Sequence, residues 1–291
     1  MWGLPALCAG LLLSGGAGVA CLSPATVLNG LALGPCRRVR GIPYGPGPRR
    51  MLDVYTPRHA QTAPVAVFYY GGSWQEGGKA LYRFVGAALA ARGVVTIIPD
   101  YRLYPQTRFP GFLEDSAAAF AWARRHAPAY GGDPSRVFVM GHSAGAYNAA
   151  MLALDPAWLA AHGLSPHQHI AGVIGLAGPY DFLPLTSPAL RAIFGAPEHL
   201  ARTQPINFVS SLAPPAFLAA GKADTVVDPG NSRRLAARLA AAGGLVQLKL
   251  YPGLGHRRLA GALSPVLRGL GPVLADCLAF ISHHHSQRSA A

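Results

Sequence analysis

From Pro64 onward the sequence alternates short apolar runs with stretches of helical periodicity, and that alternation restricts the chain to a narrow class of folds. Val65 to Tyr70, Val94 to Ile98, Arg136 to Met140, Ile170 to Ala177, Ala216 to Ala220 and Val246 to Tyr251 are rich in Val, Ile, Leu or aromatic residues and read as strands. Residues 80–92, 112–127, 144–154, 229–242 and 265–282 between and after them read as helices. Alternation of this kind predicts parallel strands covered on both faces. Ahead of it, Val39 to Tyr44 and Arg50 to Tyr55 flank a Gly-Pro-Gly-Pro turn at residues 45–48 and suit an antiparallel N-terminal edge. The fold class is therefore α/β, with a mostly parallel central sheet and helices on both faces. In such a sheet, sites gather at the carboxyl ends of the strands. One domain, residues 38–282, fits a chain of 291 residues. Within it, the insertion at 178–214 is expected to form a small lid or pocket wall, and 283–291 a solvated, disordered tail.

The chemistry concentrates at those strand ends. Gly141-His142-Ser143-Ala144-Gly145 follows an apolar run and precedes a helix-compatible stretch, giving a strand, a G-x-S-x-G turn and a helix in order. A nucleophile needs to project from a sharp turn, and glycines beside it let backbone approach without a Cβ clash. Without that context the same motif reads as a glycine-rich loop whose serine caps a helix. A serine hydroxyl needs a base, and the base needs an orienting carboxylate. Asp224 follows the Ala216–Ala220 run and His256 follows Val246–Tyr251, so both fall in loops at strand ends and in the chain order Ser, acid, His. Asp228 competes for the acid role, but its place just before Pro229 suits a helix cap better. Acyl transfer also develops negative charge on an oxygen, which backbone N–H groups stabilise. The loop Gly71-Gly72-Ser73-Trp74 leaves the Val65–Tyr70 strand in the right place, and the expected oxyanion-hole donors are the N–H groups of Gly72, Ser73 and Ala144. Trp74 and Tyr180 are candidate substrate-binding walls, with Tyr147 and Phe182 behind them, although core packing explains aromatic residues equally well.

Composition narrows the alternatives. A net charge of +13 invites a nucleic-acid partner, but the arginines lie in scattered pairs without a basic run or interleaved aromatics, and nucleic acid is not expected. Residues 1–20 are apolar and rich in small residues, resembling a secretory signal peptide that lacks early Lys or Arg. Cys21 then stands where a lipoprotein carries its lipidated cysteine. The expected location is therefore exported, periplasmic or secreted, with membrane association through a lipidated Cys21 as an option and a cytoplasmic location as the alternative. Cys36 and Cys277 remain for the body, where one disulfide is an open pairing, and no cysteine or histidine cluster predicts a metal.

Taken together, Gly71 to Trp74, Asp100-Tyr101-Arg102-Leu103, Gly141 to Gly145, Gly221-x-x-Asp224 and His256 resemble the carboxylesterase and feruloyl-esterase-like branch of the α/β-hydrolases, which includes kynurenine-formamidase-like proteins. The resemblance covers about residues 38–282. It implies the α/β-hydrolase fold, a cofactor-free serine esterase acting on a small-molecule ester through an acyl-enzyme, and a structural role for Arg102 in tying loops together. Many relatives carry His where Tyr70 stands. The alternatives are an arylformamidase-like amide hydrolase on the same residues, and a non-catalytic binding protein that kept the fold.

Overall fold

In a computed structural model the described residues are 24–30, 35–195 and 197–286. Eight strands form one sheet: β1 (Cys36–Pro43), β2 (Met51–Pro57), β3 (Ala63–Tyr69), β4 (Val95–Pro99), β5 (Gly132–His142), β6 (Gly172–Leu176), β7 (Ala216–Gly221) and β8 (Val246–Tyr251). Their spatial order is β1-β2-β4-β3-β5-β6-β7-β8. β1 pairs with β2 and β2 with β4 antiparallel, and every other pair is parallel. The helices are α1 (Pro24–Gly30), α2 (Arg83–Ala90), α3 (Gly111–His126), α4 (Ala144–Leu154), α5 (Ala157–Ala160), α6 (Pro166–His169), α7 (Pro188–Phe194), α8 (Gly230–Ala241), α9 (His256–Gly261) and α10 (Val273–Ser286).

The continuous apolar runs have a direct cause. Successive side chains of a strand point to opposite faces, and here both faces are covered. Val65, Val67 and Tyr69 of β3 join one core with residues of α3, α4 and α8. Ala66, Phe68 and Tyr70 point the other way, into a second core shared with α2 and α10. The two edge strands differ: β1 is half-buried or exposed throughout, and β8 alternates between half-buried and exposed positions as far as Tyr251.

Buried charge fastens the loops above this frame. Asp115 of α3 is fully buried. Its Oδ1 accepts from Arg50 Nε at 2.8 Å and Arg102 Nη2 at 2.9 Å, and its Oδ2 from Arg102 Nε at 2.8 Å and the Arg102 N–H at 2.9 Å. The single carboxylate thus joins the approach to β2, the exit of β4 and α3. The loop-tying role of Arg102 is visible in these bonds.

Several boundaries differ from the sequence expectation. The helix foreseen from residue 265 begins at Val273, because Gly269, Gly271 and Pro272 break the stretch before it and leave only a 3₁₀ turn at Arg268–Leu270. At its other end α10 runs to Ser286, so residues 283–286 continue a helix where a tail was expected, and 287–291 lie outside the described residues. Cys36 and Cys277 are free thiols, which answers the open pairing. Cys36 lies on the edge strand β1, whereas α10 packs against β6, far along the sheet order. The leader at 1–20 and Cys21 also lie outside the described residues. Among the described residues, no helix is long and apolar enough to cross a membrane, and no side-chain cluster could hold a metal.

Asp115→Ala would leave two guanidinium groups facing an empty buried site. It is expected to destabilise the fold by about 3 kcal/mol, read as a lower urea midpoint at an unchanged denaturant slope.

Candidate active site

β5 ends at His142 and α4 begins at Ala144, which leaves Ser143 alone to make the turn. Its φ of 56° and ψ of −124° are unfavourable for an L-residue, at a cost of about 1–3 kcal/mol that the surroundings must hold in place. The Ser143 N–H donates to Leu176 O at 2.9 Å, and its carbonyl accepts from the N–H groups of Ala146 and Tyr147 at 2.9 and 3.1 Å. The flanking glycines act through space: a Cβ on Gly145 would collide with the Tyr69 carbonyl, and one on Gly141 with the Gly145 carbonyl.

The partners come from the last two strands of the parallel run, which neighbour each other beyond β6. Asp224 follows β7, and His256 is the first residue of α9 after β8. His256 Nε2 lies 2.9 Å from Ser143 Oγ, and His256 Nδ1 lies 2.7 Å from Asp224 Oδ2. Ser143, Asp224 and His256 are each at least 91% buried, which keeps bulk water from competing for these bonds. Asp224 Oδ1 accepts from the N–H groups of Val226 and Val227 at 2.9 and 3.0 Å. Burial alone would raise the Asp224 carboxyl, but the hydrogen bonds from His256, Val227 and Val226 outweigh it and hold the group below the usual carboxylate range. Asp228 is occupied elsewhere, accepting from the Gly230 N–H at 2.9 Å where α8 begins.

The loop after β3 turns sharply. Gly72 has φ 141°, Ser73 51° and Trp74 58°. The N–H groups of Gln75 and Glu76 both donate back to the Gly72 carbonyl, and a Cβ on Gly72 would strike the Glu76 carbonyl. The N–H groups of Gly72 and Ser73 have no acceptor among the described residues. Ala144, first residue of α4, likewise has no intrahelical acceptor. Tyr70, where many relatives carry His, supports the loop differently: its hydroxyl accepts from Arg49 Nη2 at 2.6 Å, its carbonyl accepts from the Tyr101 hydroxyl at 2.7 Å, and its ring stacks on Tyr101 at 4.5 Å.

A cavity of about 500 Å³ opens beside Ser143 and His256, with Gly72 and Ser73 in its wall. Neither Trp74 nor Tyr180 lines it. Two successive left-handed residues swing the Trp74 indole into the core, where Nε1 donates to Asn148 Oδ1 at 3.1 Å and the ring meets Tyr147 and Phe194 edge-on. Tyr180 and Tyr147 are fully buried. The insertion at 178–214 contributes none of the cavity wall; its Phe182 and Phe194 close over the Trp74 cluster instead. Beyond the glycine loop and the residues around Ser143, the wall comes from Leu28 of α1, Leu81, Tyr82 and Phe84 at the start of α2, Val226, and the part of α9 after His256, which the sequence reading did not connect with the site.

His142 and Tyr82 were also missed. His142 Nε2 donates to the His256 carbonyl at 3.1 Å, which leaves Nδ1 as the acceptor for the Tyr82 hydroxyl at 3.3 Å. The same hydroxyl accepts from the Gly71 N–H at 3.4 Å. One chain of hydrogen bonds therefore runs from the glycine loop to the backbone of His256. The only signal in the sequence was the position of His142 inside the motif.

A mostly parallel sheet whose strand-to-helix turn carries a serine within hydrogen-bond reach of a histidine and an aspartate is the α/β-hydrolase fold with the side-chain arrangement of a serine hydrolase. The model of the BD-FAE family matches residues 52–239, more than half of the chain, and the protein belongs to that family. Among curated proteins it is 31% identical to isoprenylcysteine alpha-carbonyl methylesterase ICME of Arabidopsis thaliana, over 84% of this chain and 62% of that one. It is also 31% identical to esterase LipC of Mycobacterium tuberculosis, over 86% of this chain and 66% of the relative. The chain thus spans a little under two thirds of the length of these relatives. Two solved structures share the fold: a carbohydrate esterase from gut microbiota (TM-score 0.75, 21% identity, 86% and 96% covered) and Est2 of Thermogutta terrifontis (TM-score 0.70, 23% identity, 86% and 92% covered).

Burial, and then the nearby His256, push His142 down from the ordinary imidazole value of 6.5 to about 3. The unfolded chain therefore binds a proton at this residue between those values that the folded protein does not, and stability rises with pH across that window. Urea midpoints measured from pH 3.5 to 7 should show a shallower acid loss in His142→Gln than in the unsubstituted protein.

Proposed function

We propose that the protein is a carboxylic ester hydrolase in which Ser143 is the nucleophile, His256 the general base and acid, and Asp224 the group that orients His256. The observation that carries this reading is the continuous pair of bonds from Ser143 Oγ to His256 Nε2 and from His256 Nδ1 to Asp224 Oδ2. As Ser143 Oγ attacks the ester carbonyl, its proton passes to His256 Nε2. Asp224, held ionised by its two backbone donors, stabilises the imidazolium that forms. The carbonyl oxygen becomes an oxyanion and takes the free N–H groups of Gly72 or Ser73 and of Ala144. Collapse of this intermediate breaks the bond to the alcohol oxygen, which leaves with the proton from His256. A water then attacks the acyl-enzyme through the same base, releasing the acid and restoring the Ser143 hydroxyl. No cofactor enters these steps.

Ester substrates are favoured over amides because the similar curated proteins are named esterases. Export through residues 1–20, with Cys21 as a lipidation site, is a further part of this proposal; the intact mass of protein recovered from its native membrane and secreted fractions decides it.

Ser143→Ala is expected to lower kcat on a short p-nitrophenyl ester by about 10⁶ and to abolish labelling by a fluorophosphonate, with an unchanged circular dichroism spectrum. Asp224→Asn should cost about 10⁴ in kcat while keeping KM close to its original value. Ester turnover that survives in purified Ser143→Ala protein contradicts the assignment.

A further inference from the structure

Leu28 lies in the wall of the cavity beside Ser143, although it belongs to a helix of seven residues at the edge of the fold. Its neighbours Thr26 and Val27 are exposed, whereas Leu28 is 9% exposed. Val226, Ala260 and Gly261 also line the cavity, as do Leu81 and Phe84, whose backbone groups bond to Asn29 of α1. A cavity of about 500 Å³ falls within the range of about 300–1,000 Å³ that takes a whole small ligand. It therefore has room for more than an acetyl group.

Besides the packing of Leu28 in the core, the Asn29 side chain ties α1 in this place. Asn29 Nδ2 donates to the carbonyls of Ala80 and Leu81 at 2.9 and 3.3 Å, and Asn29 Oδ1 accepts from the Phe84 N–H at 3.0 Å. That N–H belongs to the first turn of α2, whose own N-cap residue, Tyr82, supplies no side-chain hydrogen bond. A helix start needs such an acceptor. Asn29 provides it from another element, more than fifty positions away in the chain. Asn29 therefore couples the docking of α1 to the capping of α2 and helps to set the position of Leu28.

Resting on the esterase reading, we propose that α1 is a specificity-determining wall: Leu28 limits the length of the aliphatic chain of the ester presented to Ser143, and Asn29 is the positioning residue that holds Leu28 there. The substrate class is an ester carrying an unbranched or lightly branched aliphatic chain. Leu28 bears on substrate choice and takes no part in the bond-making steps.

The test uses the full chain and two substrate series. One varies the acyl chain of p-nitrophenyl esters from two to ten carbons, and the other varies the alcohol chain of alkyl acetates over the same range. In one of the two series, Leu28→Ala should raise the ratio of kcat/KM for the longest to the shortest member by about tenfold, and Leu28→Trp should lower it by a similar factor. Asn29→Ala should move the ratio in the direction of Leu28→Ala, mainly through KM, and should increase amide hydrogen exchange in residues 24–30. A ratio that stays constant in both series for all three variants overturns the wall, provided that the unsubstituted protein turns over esters and is labelled at Ser143 by a fluorophosphonate. If it does neither, the esterase reading itself fails and the wall falls with it.

Discussion

The close approach of two backbone segments at the head of the sheet is the constraint on which the site depends. The turn carrying Ser143 presses Gly145 against the end of β3 at Tyr69, and Gly71 of the next loop sits against Ser143 and His142. Because Gly145 meets backbone and Gly71 meets the His142 carbonyl and the Ser143 Cβ, the serine hydroxyl and the free N–H groups of the glycine loop are set at fixed separations before any ligand arrives. Electrostatic stabilisation of this kind costs no reorganisation during reaction. Any side chain at Gly145 would push the two segments apart, and both the nucleophile and the donors would move.

His256 depends on the same region for its backbone as well as its ring. Asp224 holds Nδ1, while His142 holds the carbonyl of His256 itself. His142 does so through Nε2–H, and burial keeps the ring neutral over the ordinary pH range, which leaves Nδ1 able to accept. The Tyr82 hydroxyl fixes that tautomer by donating to the other nitrogen.

The sequence made the sheet legible because both of its faces are covered over the inner strands, so β3 to β7 each contain an apolar run between turn residues. Ser143, Asp224 and His256 were legible for a related reason: each follows a strand, and strand ends in a parallel sheet share one edge. The cavity wall was not legible. Adjacency in sequence pointed to Trp74, but the positive φ angles of Ser73 and Trp74 turn that side chain away, and no residue pattern announces them. Leu28 reaches the site through a hydrogen-bonded Asn29 whose partners lie far along the chain, which local periodicity cannot reveal. The insertion at 178–214 was foreseen as a segment, yet its packing against Trp74 follows from three-dimensional contacts alone.

The outermost strand β1 carries Arg37, Arg38 and Arg40 within eight residues. Among the described residues, only Arg38 of the three has a carboxylate partner, Asp53, at 2.6 Å. Unpaired strand margins invite another copy of the same chain to extend the sheet. Here two such margins brought together would oppose cation to cation along their length. Their mutual repulsion works against pairing of two copies through this edge of the sheet.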